Sequence, residues 1–197
     1  MPRPARVFPP QTALHIVNRG NDRRALFASD GEYARFLVLI RRAAQDYPIQ
    51  ILAYVLMPNH WHLVVWPEEP QHVSRFLQRF TGAHATRLRR ATRTVGEGHV
   101  YQGRYHAFVL ESALRLLRTM RYVEANPVRA GLVERAEDWR WSSLTERLGR
   151  TLLISPAPLA LPPVTDWVRL VNMALPKARS EVGAMRRKRS ANGVRLL

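Results

Sequence analysis

Apolar and polar positions along the chain fall into two periods. Tyr33, Phe36, Leu37, Ile40, Ala43, Ala44 and Tyr47 recur at helical spacing, and Ser29 with Glu32 ahead of them makes the Ser-x-x-Glu pattern of a capping box. The spacing predicts a helix there. Val73, Phe76, Leu77, Phe80 and Leu88 mark a second helix, with Arg75, Arg79, Arg90 and Arg93 on its opposite side and Gly96 at its end. A third helix is expected over 112–126, stopped by Pro127, because a residue before proline avoids helical backbone angles. Between the helices lie shorter runs: 13–18, followed by the turn residues Arg19-Gly20-Asn21-Asp22; 49–57 and 60–66, with Pro58-Asn59 at the centre of a hairpin turn; and 105–110.

The resulting order is strand, helix, strand, strand, helix, strand. This is an α+β pattern of the ferredoxin-like kind, an antiparallel sheet covered on one face by helices. The third helix is left over and is free to lie across the open face, where a site can form. From Leu148 the chain turns Pro-rich and then basic over 177–195. The expected organisation is a catalytic domain over 1–147 and a C-terminal tail of low intrinsic order over 148–197.

A chain of 197 residues is long enough for one well-buried domain, and 46% hydrophobic residues are too many for wholesale disorder. Charge changes the picture more. There are 31 basic and 15 acidic residues, a net +16, and every basic residue except Lys177 and Lys188 is arginine. The planar guanidinium suits phosphate, so a nucleic acid is the expected partner. The chain has no cysteine, which excludes disulfides and thiolate metal sites; any metal must use His, carboxylate or amide ligands. No run approaches the ~18 apolar residues of a membrane span, and residues 1–11 lack the apolar stretch of a signal peptide. The expectation is a cytoplasmic protein with no membrane partner.

On a strand, side chains alternate, so Trp61, Leu63 and Val65 share one face and His60 and His62 project together from the other. Two such imidazoles, about 6.5–7 Å apart at the backbone, can converge on one ion, or can be a hydrogen-bonded pair with no metal. On the third helix, Ala113, Leu116, Leu117, Met120 and Val123 form the apolar stripe. Tyr122 and Asn126, four residues apart, stack on another face that they share with Arg115 and Arg118. Taken singly, Tyr122 reads as a surface aromatic and Asn126 as a turn-tolerant helix end. Tyr101 and Tyr105 are further phenols, and His15, His72, His84, His99 and His106 read as structural or solvent-exposed.

Five stretches, in order over about 10–147, resemble the REP-associated tyrosine transposases, part of the wider group of His-hydrophobic-His single-strand transposases. They are His15-Ile-Val-Asn-Arg-Gly-Asn21, Ala53-Tyr-Val-Leu-Met-Pro-Asn-His-Trp-His-Leu-Val-Val65, Tyr101-Gln-Gly-Arg-Tyr105, Arg121-Tyr-Val-Glu-Ala-Asn-Pro-Val-Arg-Ala-Gly-Leu-Val133 and Trp139-Arg-Trp-Ser-Ser143. The resemblance implies an enzyme that cleaves and rejoins single-stranded or hairpin DNA, a repetitive palindromic element, through a 5′-phosphotyrosine. It assigns His60, His62 and Asn126 as metal ligands and Tyr122 as the nucleophile. Two imidazoles and an amide oxygen suit Zn²⁺ as well as Mn²⁺ or Mg²⁺; the resemblance implies Mg²⁺ or Mn²⁺. Arg19, Arg104 and Arg129, in matching turns, are expected to contact DNA phosphates together with Arg115 and Arg118. The stretches Trp167 to Asn172 and Arg186 to Ser190 also look like the tail of these proteins, although relatives continue with a Gly-Arg-Pro-type segment where this chain has Asn192-Gly-Val-Arg-Leu-Leu197. Monomer and dimer are both compatible with this reading.

Overall fold

The computed structural model describes residues 7–96, 98–149 and 153–173. Four strands, β1 (Ala13–Arg19), β2 (Ile49–Met57), β3 (His60–Pro67) and β4 (His106–Leu110), form one sheet in the order β2-β3-β1-β4, every pair antiparallel. With α1 (Asp30–Asp46) after β1 and α2 (His72–Thr92) after β3, this is the ferredoxin-like arrangement.

The sheet has an apolar layer on each face. Leu14 and Ile16 of β1, Trp61, Leu63 and Val65 of β3, and the inward stripes of α1 and α2 fill one core. Ala13, Val64 and Leu110 belong to the other, with Leu116, Met120 and Val123 of α3 (Ala113–Glu124) and Trp167 and Val171 of α6 (Val164–Asn172). A β-bulge in β2 between Ile51 and Ala53 inserts one residue and reverses the side-chain parity of the strand. Ile49 and Ile51 face the first core, as do Tyr54 and Leu56 beyond the bulge, while Leu52, Ala53, Val55 and Met57 face the second. The strand can therefore be apolar throughout, because both of its faces are covered.

Details differ from the sequence expectations. Ser29 is the N-cap of α1 but makes no side-chain cap bond; Glu32 reaches past it and accepts the Ala28 N–H. Helix α2 stops at Thr92, where Arg93 takes a left-handed conformation (φ 54°), so Gly96 lies beyond the end. Pro127 does not stop the third helix but opens another turn. The chain tightens at Ala125 and re-enters α4 (Asn126–Arg129), where proline's missing N–H costs nothing because a first-turn donor has no intrahelical partner. Two more elements were not foreseen. The short helix α5 (Ser143–Arg147) follows the segment whose Trp141 carbonyl accepts the Leu56 N–H, and α6 falls within what was expected to be tail. Residues 164–172 form this helix with Trp167 and Val171 buried in the second core. The basic stretch 177–195 lies outside the described residues. Among the described residues no helix is long and apolar enough to cross a membrane.

Candidate active site

The hairpin turn fixes the first histidine. Gly20 N–H donates to the Asn59 carbonyl at 2.8 Å, which docks the Pro58-Asn59 turn on the end of β1. Only glycine fits at position 20, since a Cβ there would run into the Arg24 carbonyl. Asn59 Oδ1 then lies 2.8 Å from His60 Nδ1. With that nitrogen occupied, His60 Nε2 is the atom left to face the site.

His62 is held from the neighbouring strand. Its Nδ1 lies 2.9 Å from His15 Nε2, with the rings stacked at 5.1 Å between centroids and 18° between planes. Burial lowers His60 and His15 to about 4, Arg19 adding to the effect at His60. His62 is lowered well below its ordinary value, first by burial and then by His15, His60 and Arg19. All three rings are thus neutral near pH 7, the state in which an imidazole nitrogen can donate a lone pair. The His60 and His62 rings are 5.2 Å apart and nearly perpendicular.

Helix α3 brings the phenol to them across the second face. The Tyr122 ring meets His62 edge-on at 5.9 Å and 89°, and His15 at 6.2 Å and 76°. The Arg129 guanidinium lies 5.3 Å from the centre of the same ring. Tyr122 is not the outward-facing aromatic that the helical stripe alone suggested; it is half-buried between helix and sheet. Asn126 is buried and its Nδ2 donates to the Tyr122 and Val123 carbonyls at 2.8 and 3.4 Å. That turns the amide nitrogen into the helix and leaves the oxygen as the atom suited to ligation.

The arginines separate. Arg19 pairs across the sheet with His60, and its carbonyl accepts Gln102 N–H, which brings the 101–105 loop with the exposed Arg104 to the same end of the sheet. Arg129 joins them through Tyr122. Arg118 and Arg115 are exposed, one and two helical turns before Tyr122, roughly 6 and 10 Å along the axis. The other phenols are committed elsewhere: Tyr101 OH lies 2.7 Å from His84 Nδ1 in the first core, and Tyr105 OH lies 3.0 Å from Ser74 Oγ of α2.

Two contributors escaped the sequence reading. His15 is neither exposed nor remote: it touches both His62 and Tyr122. Its place at the head of the His15-to-Asn21 stretch was the available signal. Glu124, fully buried, accepts from Ser143 Oγ, from Arg147 Nε at 2.9 Å and from Trp167 Nε1 at 2.6 Å. It thereby ties α3 to α5 and α6, and nothing in the local pattern marked it. Among the described residues no group of three or more His, Cys, Asp or Glu side chains has the arrangement of a metal centre. The ligand types that the sequence singled out are present as two neutral imidazoles and an amide, each hydrogen-bonded through one polar atom, Nδ1 of His60, Nδ1 of His62 and Nδ2 of Asn126, with the other polar atom suited to ligation.

This geometry has counterparts. A REP-associated tyrosine transposase of Escherichia coli (strain K12) is 24% identical over 141 residues, 72% of this chain and 81% of the relative. A solved REP-associated tyrosine transposase bound to a REP hairpin superposes with a TM-score of 0.62 at 20% identity, over 82% of this chain and 93% of that one, and so shares the fold. The model of the IS200-like transposase family matches residues 10–126, which hold the whole ferredoxin-like unit and every residue from His60 to Asn126 described above. The chain belongs to the IS200-like transposases.

Proposed function

We propose that this transposase cleaves and rejoins hairpin or single-stranded DNA of the repetitive palindromic class with Tyr122 as nucleophile. The names of its relatives point to that substrate: one is called REP-associated, and another was solved with a REP hairpin. The observation that carries the mechanism is the Tyr122 ring standing edge-on to His62, with Arg129 against its face.

The residues act as follows. The Tyr122 oxygen attacks the scissile phosphorus, a Tyr–O–P bond forms, the bond from phosphorus to the 3′ oxygen breaks, and the phenol's proton is lost during attack. The product is a 5′-phosphotyrosine and a free 3′-hydroxyl. Reversal by a 3′-hydroxyl rejoins strands with no external energy source, since the phosphodiester bond is conserved as an ester on the enzyme. Arg129, Arg19 and Arg104 hold phosphates around the cut strand, and Arg115 and Arg118 extend that surface along α3. Mg²⁺ or Mn²⁺, held by Nε2 of His60 and His62 and the Asn126 oxygen, would neutralise the non-bridging phosphate oxygens and orient the phosphate. The stretch 1–147 carries this chemistry, with 148–197 as its C-terminal extension.

The test is incubation of the full chain with labelled hairpin oligonucleotides and Mg²⁺ or Mn²⁺, read on a denaturing gel. The wild type gives a slower protein–DNA band retaining label placed 3′ of the cut. Tyr122→Phe binds the hairpin but gives neither band nor cut. An adduct with Tyr122→Phe would move the nucleophile elsewhere, and cleavage without an adduct would make water the attacker.

A further inference from the structure

Among the described residues, His15 is a buried titratable group at the site that the proposed chemistry does not use. It stands on β1 opposite Val64 of β3, so His62 is its diagonal neighbour, within reach of a ring-to-ring hydrogen bond across an antiparallel pair. Phe108 of β4 closes its other side at 5.7 Å, and Tyr122 meets its edge. The ring is boxed by three neighbours and has little freedom to turn.

The single contact between His15 Nε2 and His62 Nδ1 permits two arrangements of protons on neutral rings. In one, His15 donates from Nε2, His62 accepts at Nδ1, and the His62 proton sits on Nε2, which closes that atom to any ligand. In the other, His62 donates from Nδ1, His15 accepts at Nε2 and keeps its proton on Nδ1, and the His62 Nε2 lone pair faces the site. His60 shows the second pattern unambiguously, because Asn59 Oδ1 can only accept. We infer that His15 is a positioning residue, an imidazole acceptor that holds His62 in the tautomer open at Nε2 while its ring edge sets the approach of Tyr122. The inference rests on the proposal that His62 is a metal ligand.

The expected cost of removing such a supporting partner is about 10- to 100-fold in metal affinity. The experiment uses the full chain and Mn²⁺ alone, with binding followed by calorimetry and by the loss of the free-ion electron spin resonance signal. His60→Ala and His62→Ala serve as controls. His15→Phe keeps the ring volume but cannot accept; His15→Gln places an acceptor oxygen close to the lost nitrogen. His15→Phe should weaken Mn²⁺ binding by about 10- to 100-fold and His15→Gln should restore it to within roughly threefold of wild type. If wild type binds no Mn²⁺, or His62→Ala binds as wild type does, the ligand assignment itself fails. If His62→Ala loses binding but His15→Phe does not, or if His15→Gln is as weak as His15→Phe, the role of His15 falls and the ligand assignment stands. A measurement on the unmodified chain covers the case of a variant that does not fold: nitrogen-15 spectra of the imidazoles should show the His62 proton on Nδ1, and a proton on Nε2 would overturn the inference.

Discussion

Replacing Glu124 by Gln removes a charge while keeping the shape of a side chain that joins α3 to α5 and α6. The carboxylate is fully buried and its partner Arg147 is only 10% exposed. Arg147 also donates to the Leu52 carbonyl in the β2 bulge, Ser143 Oγ accepts the Tyr54 N–H while donating to Glu124, and the Trp167 indole comes from α6. Breaking a buried ion pair from one side costs about 3–5 kcal/mol, because the remaining charge is left unpaired in a poorly solvated place. In a chain of this size each kcal/mol moves the melting temperature by roughly 2–4 °C, so Glu124→Gln should lower it by about 6–20 °C. Melting followed by circular dichroism measures this. Two features separate the explanation from simple loss of packing. The drop should persist in high salt, since a buried pair is screened far less than an exposed one. Adding Arg147→Met to Glu124→Gln should recover part of the loss, because neither charge is then stranded. A fall of less than ~2 °C, or a double variant whose loss equals the sum of the singles, would refute the reasoning.

His60→Ala, His62→Ala and Asn126→Ala should each abolish cleavage, and a triple variant should be little worse than the worst single one, because the three act as one ligand set; additive losses would show independent roles. Arg129→Ala, Arg19→Ala and Arg104→Ala should each weaken hairpin binding and lower the salt dependence of the binding constant by about one phosphate contact, measured by fluorescence anisotropy across a salt series; an unchanged slope would remove that arginine from the interface. His84 gives a pH prediction. Burial holds it at about 4, against an unfolded value near 6.5, so the folded state resists its protonation. Its contribution is fully present above pH ~6.5 and is lost as pH falls toward 4, on the order of 3 kcal/mol. In His84→Gln the fall of melting temperature over that window should be shallower than in wild type, and an equal slope would mean that His84 does not contribute.

What the sequence revealed and what it hid divide by distance along the chain. Periodicity is a local signal, and the elements that bury one face against one layer were legible: the Tyr33-to-Ala43 stripe of α1, the alternation of Trp61, Leu63 and Val65 against His60 and His62, and the Leu116–Met120–Val123 stripe of α3 all face where their spacing says. The same signal fails where a strand is covered on both sides, so the bulge that reverses β2 left no trace in an uninterrupted apolar run. It fails again at Trp167 and Val171, whose burial depends on a surface made by α3 and the turn Ala136–Asp138 and not on their proline-rich neighbourhood. The site divides likewise. His60 and His62 share a face by the geometry of their strand, and Tyr122 and Asn126, four residues apart, meet across the junction of α3 and α4, where Asn126 Nδ2 donates to the Tyr122 carbonyl. His15 meets His62 across 47 residues, and Glu124 meets Trp167 across 43. Those contacts exist only after β1 has paired with β3 and α6 has settled on α3. Such residues gain their roles from topology, which is why a histidine that reads as structural on its own strand lies against both a candidate ligand and the candidate nucleophile.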